Sequence, residues 1–426
     1  MRVLIVAEHA SARFGGEAAL PLHYFRVLRA RGADVRMITH ARVRDELLQT
    51  FPDAGDRIAF IEDTATHRWM WRIGRALPAR LAYISTGFVS RVTTQRAQRR
   101  LARQLVRQHA IDVVHQPMPV SPREPSLMHG LGAPVVIGPL NGNMTYPPAF
   151  RSGSERRIAF VEKLARSFSD SLNALMPGKR RAAAVIAANE RTRQALPKGL
   201  RGEVLVIPEN GVDLGLWREQ DGADAADSAA PALTRFAYMG RLVDWKAVDL
   251  LLAAFARARG ASPMTLTLFG DGVERAALTA LARELDILGE APDQPGKVHF
   301  AGWRSQAECA AALRLSDAMV LPSLWECGGA VVLEAMACRL PVVATAWGGP
   351  LDYIDARTGI LVPPESRESL IDGLADGMRQ LAASPALRRR LGDAGRQRIE
   401  ADFDWERKMD AMLEVYERAV RRAPKG

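Results

Sequence analysis

Ala318-Met319-Val320-Leu321-Pro322-Ser323-Leu324-Trp325-Glu326-Cys327-Gly328-Gly329-Ala330-Val331-Val332-Leu333-Glu334-Ala335-Met336-Ala337 reads as a short apolar strand, a turn with two glycines and a helix. Another apolar run, Pro341-Val342-Val343-Ala344, follows at once. Strands that are apolar throughout and alternate with helices belong to a parallel sheet covered on both faces. The same alternation extends upstream, with strands expected at Arg235–Met239, Thr265–Phe269 and Val298–Phe300 and helices between them, such as Ala247–Arg259. Before it, strands are expected at Val3–Ala7, Asp34–Ile38, Arg57–Phe60, Asp112–His115, Pro134–Gly138, Ala184–Ala187 and Val204–Ile207. Helices over Ala18–Arg31 and Arg91–Gln108 fit between these strands, and a last helical run covers Trp405 to Arg421. A polar stretch from Glu219 to Pro231 reads as a surface loop after a crossover between the halves.

A chain of 426 residues is too long for one ordinary core, so two domains are expected: 1–207 with the helix 405–426, and 208–404. With 48% hydrophobic and 25% charged residues the composition is that of a globular protein, and no apolar run reaches membrane-spanning length. Met1-Arg2-Val3-Leu4-Ile5-Val6-Ala7-Glu8 turns polar too soon for a signal peptide and reads as an opening strand. Cys309, Cys327 and Cys338 have neither metal-site spacing nor a disulfide framework, so a reducing cytoplasm is the expected location. The net charge of +10 is uneven: between Thr64 and Ile111 there is no acidic residue, while arginines alternate with Trp69, Trp71, Leu81 and Ile84. Such a segment suits an anionic membrane surface, and equally a solvated helical face. No recognition motif accompanies the charge, so nucleic acid is not expected as a partner.

In sheets of this kind ligands bind beyond the carboxyl ends of the strands, where loops run into helix N-termini. In the turn Cys327-Gly328-Gly329, exposed backbone N–H groups can donate to phosphate or sugar oxygens. Glu326 on the loop and Glu334 inside the helix can accept hydrogen bonds from several hydroxyls. Gly240-Arg241 ends another strand, and Lys246 follows five residues after Arg241. Two cations beside a helix start suit a diphosphate leaving group. Gly15 and Gly16 follow the first strand and let a phosphate approach the backbone, without forming the GxGxxG fingerprint of a dinucleotide site. His115, at a strand end, and Asn141, in the Gly138–Asn143 turn, are candidates for contact with a sugar or acceptor, and His115 reads equally well as a satisfied core residue.

Taken together, Pro322-Ser323-x-x-Glu326-x-Gly328-Gly329, Leu333-Glu334-Ala335-Met336-Ala337 and Gly348-Gly349 resemble the C-terminal signature of family 4 glycosyltransferases. Gly240-Arg241 with Lys246, Asn210-Gly211-Val212-Asp213, Gly270-Asp271-Gly272 and Phe300-Ala301-Gly302-Trp303 extend the likeness, and Gly15-Gly16 and Asp112–His115 match more loosely. The resemblance implies a GT-B fold: two facing Rossmann-like, doubly wound domains, with the C-terminal helix crossing back. It implies a retaining transfer of sugar from a nucleotide diphosphate, without a metal or other cofactor. Arg241 and Lys246 would hold the diphosphate, Glu334 the ribose, and Glu326 with the amides near Cys327, Gly328 and Gly329 the sugar, while Gly15 and Gly16 complete the phosphate site. The acceptor would be a sugar or a lipid-linked sugar, as in bacterial polysaccharide or glycolipid synthesis, and the enzyme would sit peripherally on the inner face of the cytoplasmic membrane. Two departures are visible: Cys327-Gly328-Gly329 lacks the aromatic that the family usually carries there, and Pro117 replaces a second histidine. A GT-B-type nucleotide-sugar epimerase and a non-catalytic nucleotide-sugar-binding subunit are the alternatives.

Overall fold

The computed structural model describes residues 1–13, 16–151, 169–218, 233–260 and 262–423. The chain divides into two units: the described residues of Met1–Asn143, Ile158–Glu209 and Trp405–Gly426, and those of Met144–Arg157 and Asn210–Asp404. The whole polar stretch 219–231, like Gly15, lies outside the described residues.

The first unit holds β1 (Arg2–Val6), β2 (Asp34–His40), β3 (Ile58–Ile61), β4 (Val113–Gln116), β5 (Val135–Leu140), β6 (Ala184–Ala187) and β7 (Glu203–Val206). They form one sheet in the order β3-β2-β1-β4-β5-β6-β7, with every neighbouring pair parallel. Side chains alternate across a strand, and here both faces are covered. Val3 and Ile5 join one apolar cluster with Val35, Met37 and Val113. Leu4 and Val6 join the other with Ile38 and Val114. This is why β1 is apolar throughout rather than at every second residue.

The Trp405–Arg422 helix adds Trp405, Met409, Met412, Val415 and Tyr416 to the first of these clusters. Arg31 pairs with its Glu406 and Asp410 at 2.7 and 2.5 Å. Lys408 is buried over the Trp405 ring, 4.4 Å from its centroid, and donates to the Glu209 carbonyl. Burial pushes the Lys408 amine down to about 7. The crossing-back of this helix is therefore a packed and hydrogen-bonded part of the first unit.

The second unit holds β8 (Thr234–Met239), β9 (Met264–Phe269), β10 (Val298–Gly302), β11 (Ala318–Leu321), β12 (Val342–Thr345) and β13 (Gly359–Val362). Their order is β10-β9-β8-β11-β12-β13, again all parallel. Both units thus have the Rossmann-like build expected of a GT-B fold. The edge strand β13 is not among the strands expected from the sequence.

The expected first domain, unbroken from 1 to 207, needs one correction. The described residues of Met144–Arg157 group with the second unit. Met144 packs on Gly348, Trp347 Nε1 donates to the Thr145 carbonyl at 2.7 Å, and the Tyr146 ring lies 5.0 Å from that of Trp325. Among the described residues no helix is long and apolar enough to cross a membrane.

Candidate active site

In each sheet the chain winds outward from a central strand and then returns to that strand's other side. The reversals lie between β1 and β4 and between β8 and β11, and crevices beyond such switch points are where doubly wound sheets bind ligands.

At the second unit's switch point the loop after β8 runs from Gly240 to Lys246. Gly240 N donates to Phe269 O at 3.0 Å, and the loop after β9 lies directly against it. Gly270 has φ +144°, and a Cβ there would stand 1.9 Å from the Gly240 carbonyl oxygen, so only glycine fits. The buried Tyr238 hydroxyl donates to the Arg241 carbonyl at 3.0 Å and holds the turn from below. Arg241 itself is exposed, with its guanidinium 5.6 Å from the Trp245 ring centroid. Among the described residues no carboxylate pairs with it.

The loop after β11 is stitched to the first. Leu324 N and Trp325 N both donate to the Trp245 carbonyl, at 2.9 and 3.3 Å. Lys246 forms an ion pair with Glu326, each side chain only 13% exposed. Glu326 O accepts from Gly349 N at 2.7 Å, and a Cβ on Gly349 would stand 2.3 Å from Gly328 O. Gly348-Gly349 therefore has to be glycine at its second position to let the Glu326–Gly329 backbone lie where it does. Gly329, at φ 72°, opens the Ala330–Ala337 helix with no side chain capping it. Uncapped N–H groups at a helix N-terminus favour an anion.

Glu334 lies further along the same helix and is half-buried. Burial pushes its carboxyl up to about 7, and among the described residues no hydrogen bond or ion pair reaches it. The structure thus brings Lys246, Glu326, Cys327, Gly328 and Gly329 together beside Gly240 and Arg241, with Glu334 on the helix that leaves them. Cys309 and Cys338 are buried, and burial raises their thiols to about 11 and about 12. Among the described residues no three His, Cys, Asp or Glu side chains are grouped as ligands for a metal ion.

The first unit places its expected site residues differently. Gly16 begins the Gly16–Ala30 helix in open space, with nothing within 4 Å of a Cβ built there. His115 is fully buried, and both its ring nitrogens are occupied: Nδ1 lies 2.8 Å from the Tyr416 hydroxyl and Nε2 2.6 Å from Gly138 O. Burial lowers its pKa to about 4. Of the two readings open for His115, the structure realises the satisfied core residue. Asn141 is buried and donates to Glu209 Oε2 at 2.6 Å, while Thr192 Oγ1 donates to its Oδ1 at 3.4 Å. It ties two strand ends together.

The sequence reading passed over Glu8, Arg91 and Glu124. Glu124 pairs with Arg91 at 2.6 Å, and burial first, then the Glu124 charge, raises the Glu8 carboxyl. Glu8 closely follows β1 and Glu124 comes after β4, so both belong to the loops at the first switch point. The one available signal was Glu8, a charged residue directly behind an apolar strand.

Comparison with known proteins bears on the second unit first. Residues 229–398 match the family described as glycosyl transferases group 1. Glycogen synthase of Mycobacterium tuberculosis is 33% identical over 235 residues, which is 55% of this chain and 52% of that protein. The D-inositol 3-phosphate glycosyltransferase of Mycobacterium bovis is 34% identical over 242 residues, 55% of this chain and 48% of its own length. The chain therefore spans about half the length of the curated relatives it matches.

Among solved structures, sucrose-phosphate synthase from Thermosynechococcus elongatus superposes with a TM-score of 0.62 at 20% identity, covering 99% of this chain and 100% of that one. Anabaena HepE in complex with UDP gives 0.65 at 17% identity, covering 98% and 100%. At such identities the likeness is one of fold.

Proposed function

We propose that the protein is a retaining, metal-independent glycosyltransferase that moves a sugar from a nucleoside diphosphate to a hydroxyl acceptor. The observation that carries this reading is the second switch point, where the exposed cation Arg241 and the Lys246–Glu326 pair share one pair of loops with an uncapped helix N-terminus, and the helix that follows carries Glu334, unpartnered among the described residues. Arg241, Lys246 and the amides of Gly328 and Gly329 hold the diphosphate and stabilise its growing charge, the role a metal ion plays elsewhere. Glu334 accepts from the ribose hydroxyls, and Glu326 turns from Lys246 toward the donor sugar.

The bond from the anomeric carbon to the phosphate oxygen breaks, and the acceptor oxygen bonds to that carbon on the same face. The acceptor proton passes to the departing phosphate. A structural neighbour was solved with UDP-glucose, which makes it the first donor to try. We place the enzyme in the cytoplasm, at a membrane that it touches through residues 64–107 and that carries a lipid-linked acceptor.

The test is proton NMR of the product formed from an α-linked nucleotide sugar in EDTA. An α-linked product formed under chelation is expected. A β-linked product, or activity that needs an added divalent ion, would overturn the retaining or the metal-independent reading. Isomerised sugar nucleotide instead of a glycoside would point to an epimerase, and donor binding without any turnover to a binding subunit.

A further inference from the structure

The Phe88–His109 helix lays Thr94, Gln95, Gln98, Ala102 and Val106 inward. Its outward side is a row of arginines. At about 100° per residue, Arg96, Arg100, Arg103 and Arg107 fall within about 60° of one another, and Val89 falls in the same sector. With Arg99 the four arginines line one groove. Arg99 Nε donates to His129 O at 3.1 Å and Arg103 Nε to Gly130 O at 2.9 Å, so backbone carbonyls hold two of the guanidinium groups in place. Among the described residues no carboxylate pairs with any of the five. Arg99 is also crowded by its own kind, since burial, Arg103 and Arg181 all lower its pKa.

The same segment exposes large apolar side chains. Trp69 is 61% exposed, Trp71 63% and Ile84 70%. The Arg75 guanidinium lies 5.0 Å from the Trp71 ring centroid, so a cation rides on an exposed indole. Arginines without a carboxylate partner, and exposed indoles with an aliphatic tip in the same stretch of chain, match the two layers of a bilayer surface: phosphates outside, and the boundary where tryptophan settles just beneath. Nucleic acid would use the arginines but leave Ile84 and Val89 facing water. A second copy of this chain would set arginine against arginine, because the segment has no acidic residue to meet it.

We infer that this surface docks the protein on an anionic bilayer, with Trp69, Trp71 and Ile84 entering the headgroup boundary and the arginine row seated on lipid phosphates. This deepens the membrane contact proposed above and rests on the transferase reading only in that docking brings a lipid-borne acceptor within reach.

The test is vesicle co-sedimentation of the whole protein with phosphatidylcholine alone or mixed with phosphatidylglycerol. Binding is expected only to the mixed vesicles, weakening as salt rises. Replacing Arg96, Arg100 and Arg103 together by Ser is expected to weaken it about a hundredfold, at roughly fivefold per arginine. The Trp69→Ser, Trp71→Ser double variant also binds more weakly but keeps the salt dependence. Both variants should keep the wild-type thermal shift with the nucleotide donor, which shows that they fold and separates this test from that of the transferase reading. Equal binding to both vesicle types, or undiminished binding by the two variants, would overturn the inference. So would tight binding to duplex DNA without vesicle binding, or a dimer in light scattering that the tryptophan variant abolishes and that ignores vesicles.

Discussion

The two units share one sheet topology and differ in what fills their switch points. In the second, the strand-end loops are held backbone to backbone, glycines stand where a Cβ would collide, and the charged side chains are left pointing at one another or at nothing. Among the described residues Lys246 has only Glu326 as an ionic partner, and Glu334 has none. In the first, strand-end polar groups are consumed by the fold: His115 by Tyr416 and Gly138, Asn141 by Glu209 and Thr192. A polar residue at a strand end is therefore not a ligand contact by position alone. What separates the two cases is whether the fold has already satisfied the group.

The largest effect expected from this contrast is at the cations. Arg241→Ala or Lys246→Ala should lower kcat/KM by about 10²–10³, the usual loss when a charge-stabilising donor is removed from a transition state. Steady-state kinetics with a saturating acceptor would check it, and unchanged kcat/KM in both variants would remove these residues from the donor site.

A smaller effect of opposite sign is expected at their partner. Glu326→Gln frees Lys246 and removes a negative charge facing the diphosphate, so the free nucleotide diphosphate should bind roughly three- to tenfold more tightly, about 1 kcal/mol. Sugar transfer should fall in the same variant. Calorimetry and turnover measured together distinguish this from a general loss of structure.

The smallest effect on chemistry is expected at His115. His115→Ala should leave donor affinity within a factor of about two, yet lower stability by about 2–3 kcal/mol, because a buried hydroxyl and a carbonyl lose their partner. Denaturant melts and a donor titration would show the split. A large loss of affinity at unchanged stability would return His115 to the ligand site.

The same contrast explains what could be read from sequence. The second unit was legible because its constraints are local: an apolar strand, a glycine turn and a helix stand next to each other between Ala318 and Ala337. The spacing from Glu326 to Glu334 carries the geometry with it. The first unit depends on partners far apart in the chain, such as His115 with Tyr416 and Glu209 with Lys408. No pattern within one segment announces such pairs. The grouping of Met144–Arg157 with the second unit was hidden for the same reason, resting on Gly348, Trp347 and Trp325. The Lys246–Glu326 pair was also out of reach, although both residues had been singled out, because only the fold brings the two loops together.

The account turns on the second unit's switch point as a nucleotide-sugar site, and Glu334 reports on it most directly. Its carboxyl sits at about 7 in the free protein, above the ordinary 4.5, so without ligand its burial lowers stability as pH climbs from about 4.5 toward 7. Ribose hydroxyls donate to the ionised form, so donor binding should strengthen over the same rise. The decisive measurement is calorimetric titration, in EDTA, of the nucleotide sugar selected from UDP-, GDP- and ADP-sugars, for wild type and Glu334→Gln. Wild-type affinity should rise about tenfold between about pH 6 and about pH 8, as a group titrating near 7 requires. Glu334→Gln should bind weakly with no pH dependence, while melting higher than wild type above pH 7. Equal and pH-independent binding by both proteins, or no binding of any nucleotide sugar to a folded wild type, would contradict the account.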